Sequence, residues 1–502
     1  MIRGLETERV MMPAGIRCVN QKRLRAGAFP ALGIFLIVLV SLAGCMKVGP
    51  DYRKLPVAAP AEWHSELTGG LNNTAPDENS LARWWESLDD PQLSELEERA
   101  ALGNLDLEQA RARVREARAM RGVSKAGLFP TLDTFGRFSK LRESENFVQG
   151  ERYDLYQAGF DATWELDVFG GQRRRIEAAQ AELEASREDL RDVLVSLLAE
   201  VALNYVDVRL YQARLRTIRK NIAIQQENYD LNLARSRAGL IDKLSLEQSR
   251  YTLEYSRSQL PGLETGLEAA KNRLAVLVGE TPGSLHDELA AVKPIPLPVS
   301  VVPVGIPATT LRRRPDVRRA ERSLAAASAR IGAVTAELFP KFYLGGTVGL
   351  EAIDNDKLWR WASRAWNLGP RVSWNIFDAG AIRQHIEATN ARQEQALASY
   401  QNTLLKAQEE VENSLVAYVR EQRRQASLAK AGRSAARALE LAREQYKAGL
   451  VDFINVLEVQ RSLLEIEDQL DQSRGRVTAN LIRLYKSLGG GWQGYISPAP
   501  KR

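Results

Sequence analysis

Residues 160–190 read FDATWELDVFGGQRRRIEAAQAELEASREDL, and two different periodicities meet in this stretch. From Phe160 to Val168 apolar and polar residues alternate, which is typical of a β-strand with two unlike faces. From Gln172 to Arg237 the chain is rich in Ala, Leu, Glu, Arg and Gln, which are strong helix formers. The sequence therefore predicts a strand that leads directly into a helix.

The predicted helix is unusually long. Proline is absent from 131–260, and the apolar residues between Leu190 and Val208 follow spacings of three and four. Roughly 65 residues with a rise of about 1.5 Å each give a length near 100 Å, which does not fit inside a compact globule. Gly239 ends the run, as a residue with positive φ does at a helix C-terminus, and a second helix follows from Leu244. This pattern predicts a long antiparallel helical hairpin, extended like a coiled coil.

The whole pattern occurs twice, at a fixed offset of 210 residues. Leu128-Phe129-Pro130 recurs as Leu338-Phe339-Pro340, and Trp164 recurs as Trp374. An offset that holds without a gap over some 150 residues indicates a duplicated unit of about 200 residues. Two hairpins are therefore expected, and their tips are predicted at four matching residues, Gly239 with Asp242 and Gly449 with Asp452.

Each unit also contains a pair of amphipathic segments. The expected strands are about 130–141 and 158–168 in the first unit, and 341–351 and 368–377 in the second. Alternation alone also fits a half-exposed strand of a soluble protein, but each segment has the roughly 10 residues of a tilted transmembrane strand. The polar faces would suit a water-filled lumen, and we predict that they include Asp161, Glu165 and Arg371.

Closure of a barrel sets a condition on these strands. The loops Arg142–Leu155 and Glu351–Ala365 are polar and long enough for an outer surface. About eight strands are the minimum for a filled barrel, and open sheet edges are not tolerated in lipid. Several copies of the chain must therefore pool their strands. Three copies would give twelve strands, but this reasoning by itself does not select three.

The N-terminus has the order of a bacterial lipoprotein signal. Lys22-Arg23-Leu24-Arg25 precedes an uncharged apolar run, Ala28–Leu42, of about 15 residues, which is short for a spanning helix. Leu42-Ala43-Gly44-Cys45 then resembles a lipobox, whereas the alternative is a chance cysteine after an uncleaved anchor. We predict that 1–44 is removed and that Cys45 is acylated, because two or more acyl chains anchor a protein stably.

Charge and composition exclude several classes of function. The formal charge of +6 includes six basic and two acidic residues within 1–44, so the remaining chain is nearly neutral and no nucleic-acid binding is expected. Cys18 lies in the leader, so the mature chain would form no disulfide. The three histidines, His64, His286 and His385, have no partner at metal-ligand or catalytic spacing. We therefore expect no enzyme, no metal site and no cofactor.

Several motifs resemble the outer membrane factor family, the TolC-like channels of tripartite efflux pumps. Val48-Gly49-Pro50-Asp51-Tyr52 resembles the motif after the family's lipid anchor, and Asp90-Pro91-Gln92-Leu93 resembles the entry to its first helix. Leu311–Val317 (LRRRPDV) resembles the opening of the second repeat, and Leu484–Trp492 (LYKSLGGGW) resembles its carboxyl end. The resemblance covers essentially 45–492 and is greatest to the lipoprotein branch that works with resistance-nodulation-division (RND) transporters.

The resemblance implies an α+β membrane protein that forms a homotrimer. A twelve-stranded β-barrel in the outer membrane would continue into a periplasmic α-helical barrel. Residues 45–90 would form a lipid-anchored arm, and the Pro-rich linker 282–307 would lie in an equatorial belt or simply connect the repeats. The first repeat, 91–281, would hold a hairpin at about 171–277; the second, 308–492, a hairpin at about 381–487; and 493–502 would be a tail.

The resemblance also implies what the chain does and what it assembles with. It would conduct small molecules out of the cell after they leave an RND-type inner-membrane transporter and a periplasmic adaptor. Its other partners would be two further copies of itself and outer-membrane lipid. Metal-ion efflux and type I protein secretion remain alternatives within the family. A periplasmic adaptor lipoprotein is a weaker alternative, because adaptors have one hairpin flanked by short β domains.

A gate is implied at the periplasmic tips of the hairpins. In the family, acidic side chains on the inner helix after the second tip narrow the duct, and the matching residue here is Glu458. We predict that the gate comprises Ile454, Asn455, Glu458 and Arg461. The alternative is that Glu458 and Arg461 form an ordinary helix-surface pair, worth about 0.2–0.5 kcal/mol.

Overall fold

The computed structural model describes residues 47–56, 59–75, 77–142, 144, 152–297, 301–493 and 495. The predicted signal, the lipobox and Cys45 lie outside the described residues, as does most of the expected tail. The helices are α1 (Glu78–Ala82), α2 (Pro91–Gly103), α3 (Leu105–Ala126), α4 (Gly171–Arg237), α5 (Lys243–Leu277), α6 (Pro307–Arg313), α7 (Pro315–Thr335), α8 (Ala381–Lys447) and α9 (Phe453–Ser487). The strands are β1 (Leu71–Asn72), β2 (Thr131–Arg142), β3 (Arg152–Leu166), β4 (Val302–Pro303), β5 (Lys341–Ala352) and β6 (Arg364–Ser373).

The two helical hairpins match each other residue for residue. Helices α4 and α8 contain 67 residues each, and α5 and α9 contain 35 each. Every bound of α8 and α9 lies 210 residues after the matching bound of α4 or α5. The second helices begin at Lys243 and Phe453, one residue before the predicted Leu244 and Ile454. The duplication seen in the sequence is thus a duplication of hairpins.

The predicted bounds of two strands are wrong. The segment expected at 158–168 is a strand from Arg152 to Leu166, and the segment expected at 368–377 runs from Arg364 to Ser373. The early starts occur because the chain on both sides of each loop pairs in register, as Tyr153 does with Leu141. The strands also end early, because their partner strands β2 and β5 each begin only after a proline. Just after β3, Asp167 accepts backbone hydrogen bonds from the start of α4 instead of continuing the strand.

The earlier starts of these two strands also shorten the predicted outer loops. The first loop cannot extend to Leu155, since β3 has already begun at Arg152. The second loop, expected over Glu351–Ala365, loses residues to β5 and β6 and contains two short 3-10 turns, Asn355–Lys357 and Trp361–Ser363. What remains of this second loop is therefore partly ordered by local hydrogen bonds.

The four longer strands form one antiparallel sheet in the order β2-β3-β5-β6. Strands β2 and β6 are its edges, and within the described residues neither edge pairs with a further strand. Directly opposed residues share a face, as Phe160 and Val348 do in one row and Asp161 and Thr347 do in the next. The sheet consequently separates an apolar face from a polar face.

Helix α4 lies at the centre of the helical part. It packs along α3, α5, α7 and α9, whereas α8 packs along α7 and α9. The largest buried cluster contains Trp84, Trp85 and Tyr205 and takes residues from all four helices of the two hairpins. The ring of Trp84 stacks on that of Tyr485 at 5.5 Å between centroids. Most of the apolar burial therefore lies near the middle of the hairpins rather than at their tips.

The N-terminal arm and the Pro-rich linker meet on this core. Strands β1 and β4 form a parallel pair in which Leu71 lies opposite Val302. The indole N–H of Trp63 donates a hydrogen bond to the Gly305 carbonyl at 2.8 Å. Glu412 of α8 accepts the backbone N–H groups of His64 and Ser65 at 2.7 and 3.0 Å. The linker is thus packed against the arm and the core as well as connecting the repeats.

None of the helices in the described part of the chain has a segment both long and apolar enough to cross a membrane.

Candidate functional site

The three predicted lumen residues lie on the polar face of the sheet. Asp161 accepts a hydrogen bond from the Thr347 hydroxyl at 2.8 Å. One row of the sheet places Glu165 opposite Tyr343, and Tyr343 in turn opposite Arg371. The Arg371 guanidinium lies 5.1 Å from the centre of the Tyr343 ring. Charged and polar groups on neighbouring strands therefore support one another across this face.

The opposite face carries large apolar side chains that nothing in the described chain covers. Those at least one third exposed include Leu132, Phe138, Phe160, Trp164, Leu344, Val348, Trp366, Leu368 and Val372. At one end of the face, the indole N–H groups of Trp164 and Trp374 donate to the Leu128 and Leu338 carbonyls at 2.8 and 3.1 Å. A contiguous apolar face of this size is not normal for a surface in contact with water.

Arg174 fixes the start of the described chain to the junction between the sheet and the helices. Its side chain is 1% exposed, and it donates hydrogen bonds to the Val48 and Gly49 carbonyls at 3.0 Å each. It also pairs with Asp51 at 2.8 Å and with Glu177 at 2.9 Å. No sequence pattern predicted this role for Arg174: the matching residue of the second repeat is Gln384, and most other residues of α4 do not recur there either.

Each hairpin tip is closed by the same backbone motif. Gly239 and Gly449 have φ of 73° and 72°, as the predicted positive φ at these helix ends requires. The N–H groups of Leu240 and Leu450 bond back to the carbonyls of Arg235 and Gln445 at 2.9 Å. These are Schellman motifs, which satisfy the last carbonyls of α4 and α8.

The two aspartates at the tips differ in what they bind. Asp242 caps α5 by accepting the Ser245 N–H at 2.8 Å, whereas the Asp452 side chain makes no such bond to α9. Hydrogen bonds from Ser245 hold the pKa of Asp242 below its ordinary value. The two tips thus share a backbone fold but not the same side-chain capping.

The four predicted gate residues lie on one exposed face of α9. Ile454, Asn455, Glu458 and Arg461 follow helical spacing and are all exposed, while Phe453, Val456 and Leu457 on the other side are buried. Within the described residues neither Glu458 nor Arg461 forms an ion pair, so the helix-surface pair is not present in this structure.

A contact that sequence analysis missed ties the two hairpins together near their tips. Arg235 of α4 donates to the Tyr446 hydroxyl of α8 at 2.5 Å, and its guanidinium lies 5.4 Å from the ring centre. Neither residue recurs at the 210 offset, since the matching residues are Gln445 and Ser236. The repeat therefore does not supply a second, equivalent contact between α4 and α8.

Comparison with known proteins identifies the family. The profile described as outer membrane efflux protein matches residues 96–280 and again 306–490, two segments that start 210 residues apart. The chain belongs to the outer membrane efflux protein family. Its two matched segments are the two hairpin repeats, and the described polar and apolar faces belong to the strands inside each segment.

Relatives in this outer membrane efflux family match along nearly their whole length. The pyoverdine export outer membrane protein OpmQ of Pseudomonas aeruginosa is 33% identical, over 91% of this chain and 96% of its own. The cation efflux system protein CusC of Escherichia coli O6:H1 is 30% identical, over 91% and 98%. The solved structure of the outer-membrane channel OprN has a TM-score of 0.83 at 34% identity, covering 89% of this chain and 100% of that chain. The chain therefore has the fold of the TolC-like outer-membrane channels, and it is mostly helical with an internal repeat.

Proposed function

We propose that this chain is the outer-membrane channel of a tripartite efflux pump and acts as a passive exit duct. The observation that carries the proposal is the sheet: one polar face and one uncovered apolar face, continuous with two 67-residue helices. Such a sheet suits a wall between lipid and water, and the helices are long enough to extend the duct by about 100 Å. Conduction needs no catalytic group in the chain, which therefore acts as a channel and not as an enzyme.

The barrel is completed by three copies. Open edges of a sheet cannot face hydrocarbon, because their unpaired N–H and C=O groups cost several kcal/mol each. Each copy supplies four strands, and neither edge of this sheet is paired within the described residues. Three copies, the number that the family resemblance implies, would close a barrel of twelve strands. In this barrel Asp161, Glu165 and Arg371 line the aqueous lumen, and Phe160 and Val348 contact lipid.

Below the barrel, the hairpins of the three copies enclose the periplasmic part of the duct. The packed linker and arm around residues 282–307 form the equatorial belt of that duct. The exposed tips, with Leu240 at 73% and Leu450 at 76% exposed, accept a periplasmic adaptor that joins the channel to an RND-type transporter. Energy for transport comes from that transporter.

The substrates are small molecules delivered by the transporter. Relatives of this chain are named for export of pyoverdine, toluene and cations, so the channel itself imposes little selection. Metal ions are a second candidate cargo, favoured by the match to CusC along 91% of this chain.

The gate lies where α9 leaves the second tip. The exposed face of Ile454, Asn455, Glu458 and Arg461 faces the duct in this proposal, and three copies place three Glu458 carboxylates at one level. Such a ring focuses the electric field and repels its own members unless Arg461 compensates. The Arg235–Tyr446 contact joins the two hairpins of one copy near their tips.

Opening of the gate is testable in cells. Glu458→Ala with Arg461→Ala should sensitise cells to a large hydrophilic antibiotic, such as vancomycin, that an intact outer membrane excludes. The matched control changes the corresponding positions of the first hairpin, Gln248→Ala with Tyr251→Ala, and should have little effect. Equal sensitivity of the two variants would contradict the gate assignment.

The lipid anchor in this proposal is Cys45, the cysteine at the end of the lipobox-like motif. Cys45→Ser should abolish labelling of the chain with radioactive palmitate. Labelling that persists in this variant would contradict the anchor.

The proposed function itself is tested by deleting the gene in its host. We expect the deletion strain to accumulate more of a lipophilic fluorescent dye and the intact chain to restore the original level. Unchanged accumulation of dyes, together with unchanged tolerance of solvents and metal ions, would contradict an efflux role.

A further inference from the structure

The apolar face of the sheet is not the same at its two ends. At the end that joins the helices, the indole N–H groups of Trp164 and Trp374 donate hydrogen bonds to backbone carbonyls. From the row of Phe160 and Val348 down to this end, the described strands place no charged side chain on the apolar face. The half of the face that points away from the helices does carry charges.

Three of the four strands follow the same order toward that far end. Successive residues on one face are two positions apart, and each of these strands passes an aromatic residue before it reaches a basic one. The aromatic and basic residues are Phe138 and Lys140 on β2, Tyr156 and Arg152 on β3, and Trp366 and Arg364 on β6. A basic residue on a lipid-facing surface is costly at the middle of a bilayer but costs little at its edge, so this order is the one expected at the edge of a lipid layer.

Two of these cations are not neutralised within the described chain. Lys140 pairs with Asp154 at 3.7 Å. Neither Arg152 nor Arg364 forms an ion pair with another described residue. Arg152 also lies directly opposite Arg142, and like charges that face each other across two strands repel. An anion that bridges the two guanidinium groups would offset this repulsion.

Arg364 is positioned for an anion by a neighbouring ring. Its guanidinium lies 3.9 Å from the centre of the Trp361 ring, which belongs to the loop between β5 and β6. Stacking uses the flat face of the guanidinium and leaves its N–H groups at the edge, where their geometry matches the oxygens of a phosphate. Trp361 and Trp366 are each 77% exposed, and indole rings favour the boundary between lipid tails and headgroups.

We propose that Lys140, Arg152 and Arg364 form an outer rim that binds the phosphate groups of a glycolipid in the outer leaflet of the membrane. The acyl chains of this lipid lie along the apolar face, which is continuous with the outer rim, and its phosphates meet the arginines. Inorganic phosphate lacks the contact with the apolar face, so the lipid is the ligand. This rests on the proposed function, because it places the helices in the periplasm and the outer rim on the opposite side of the membrane.

Native mass spectrometry of the purified full-length protein in detergent, titrated with lipid A, tests the outer rim. Lipid A is an acylated disaccharide with two phosphate groups. The rim variant is Arg152→Gln with Arg364→Gln. A basic residue near an anionic lipid surface strengthens binding about fivefold, so the rim variant should bind lipid A about 25-fold more weakly.

The matched control is Arg137→Gln with Lys341→Gln. It removes two positive charges from the polar face of the same sheet, since both residues alternate with the apolar ones along β2 and β5. The control should bind lipid A as tightly as the unaltered protein. Inorganic phosphate at the same concentration should not displace lipid A, because it cannot contact the apolar face.

Weaker binding in the rim variant but not in the control supports the inference. Equal losses in the two variants would show attraction by net charge alone, and either that result or unchanged binding in the rim variant overturns the inference. Displacement by inorganic phosphate overturns the lipid as the ligand. If the rim variant does not fold, Arg364→Gln alone applies the same test, with an expected loss of about fivefold.

Conductance in planar bilayers, measured on the same samples, separates this inference from the proposed function. Conductance steps together with lipid binding that does not depend on the outer rim overturn the outer rim and leave the channel intact. An unaltered protein that inserts into bilayers but gives no steps contradicts the proposed function, and the outer rim with it.

Discussion

The attachment of the arm by Arg174 gives a quantitative prediction. The change is Arg174→Gln, which places on α4 the residue that stands at its mate, Gln384. The two bonds from the guanidinium to the Val48 and Gly49 carbonyls are nearly water-excluded, and a bond from a charged group contributes about 1.5 kcal/mol or more. The pair with Asp51 is discounted, because that carboxylate is 81% exposed. The loss is therefore about 3 kcal/mol, or on the order of 100-fold in the equilibrium for arm release.

Hydrogen exchange at Val48 measures this release. The Val48 N–H donates to the Phe169 carbonyl at 3.2 Å, so it exchanges only when the arm opens, and its rate follows the open population. Mass spectrometry of a peptide that begins at Cys45 and ends at Leu55 retains the label on Val48, its fourth residue. The exchange should be about 100-fold faster in Arg174→Gln, with an intermediate rate in Arg174→Lys. Arg175→Gln is the control, since within the described residues Arg175 bonds to Gln172 and pairs with Glu337 rather than with the arm. Unchanged exchange in a folded Arg174→Gln protein would refute the attachment.

Two other changes probe separate parts of the molecule. Burial without a hydrogen-bond partner raises the pKa of Glu97, so the folded state retains a proton that the unfolded state releases, and stability falls as pH rises above the ordinary value of 4.5. Glu97→Gln should therefore raise the unfolding temperature at pH 8 but not at pH 4. Val348→Arg on the apolar face should cost about 2–4 kcal/mol and reduce the yield of membrane-inserted protein, whereas Thr347→Arg on the polar face should cost less.

The helical hairpins could be predicted from sequence because their signals are local and occur twice. Gly239 and Gly449 mark helix ends through their own backbone conformation, and both occupy the expected left-handed region. The strand bounds could not be predicted in the same way. Where β3 begins depends on which residues of β2 it meets, and that pairing is a property of two segments together.

The candidate site likewise combines features that local sequence predicts with contacts that depend on the tertiary fold. The shared exposed face of Ile454, Asn455, Glu458 and Arg461 follows from helical periodicity alone. The buried contacts of Arg174 with residues 125 positions away, and of Arg235 with Tyr446, follow only from the tertiary fold. Neither arginine recurs at the 210 offset, but most residues of α4 do not recur in α8 either, so no sequence signal distinguishes these two.

Single-channel conductance in planar lipid bilayers tests the central claim, that copies of this chain enclose a continuous aqueous duct. The purified oligomer should produce discrete conductance steps, and Glu458→Ala with Arg461→Ala should make the steps larger and the closed intervals shorter. Bilayers that show no steps with either protein, although both insert as oligomers, would contradict the account.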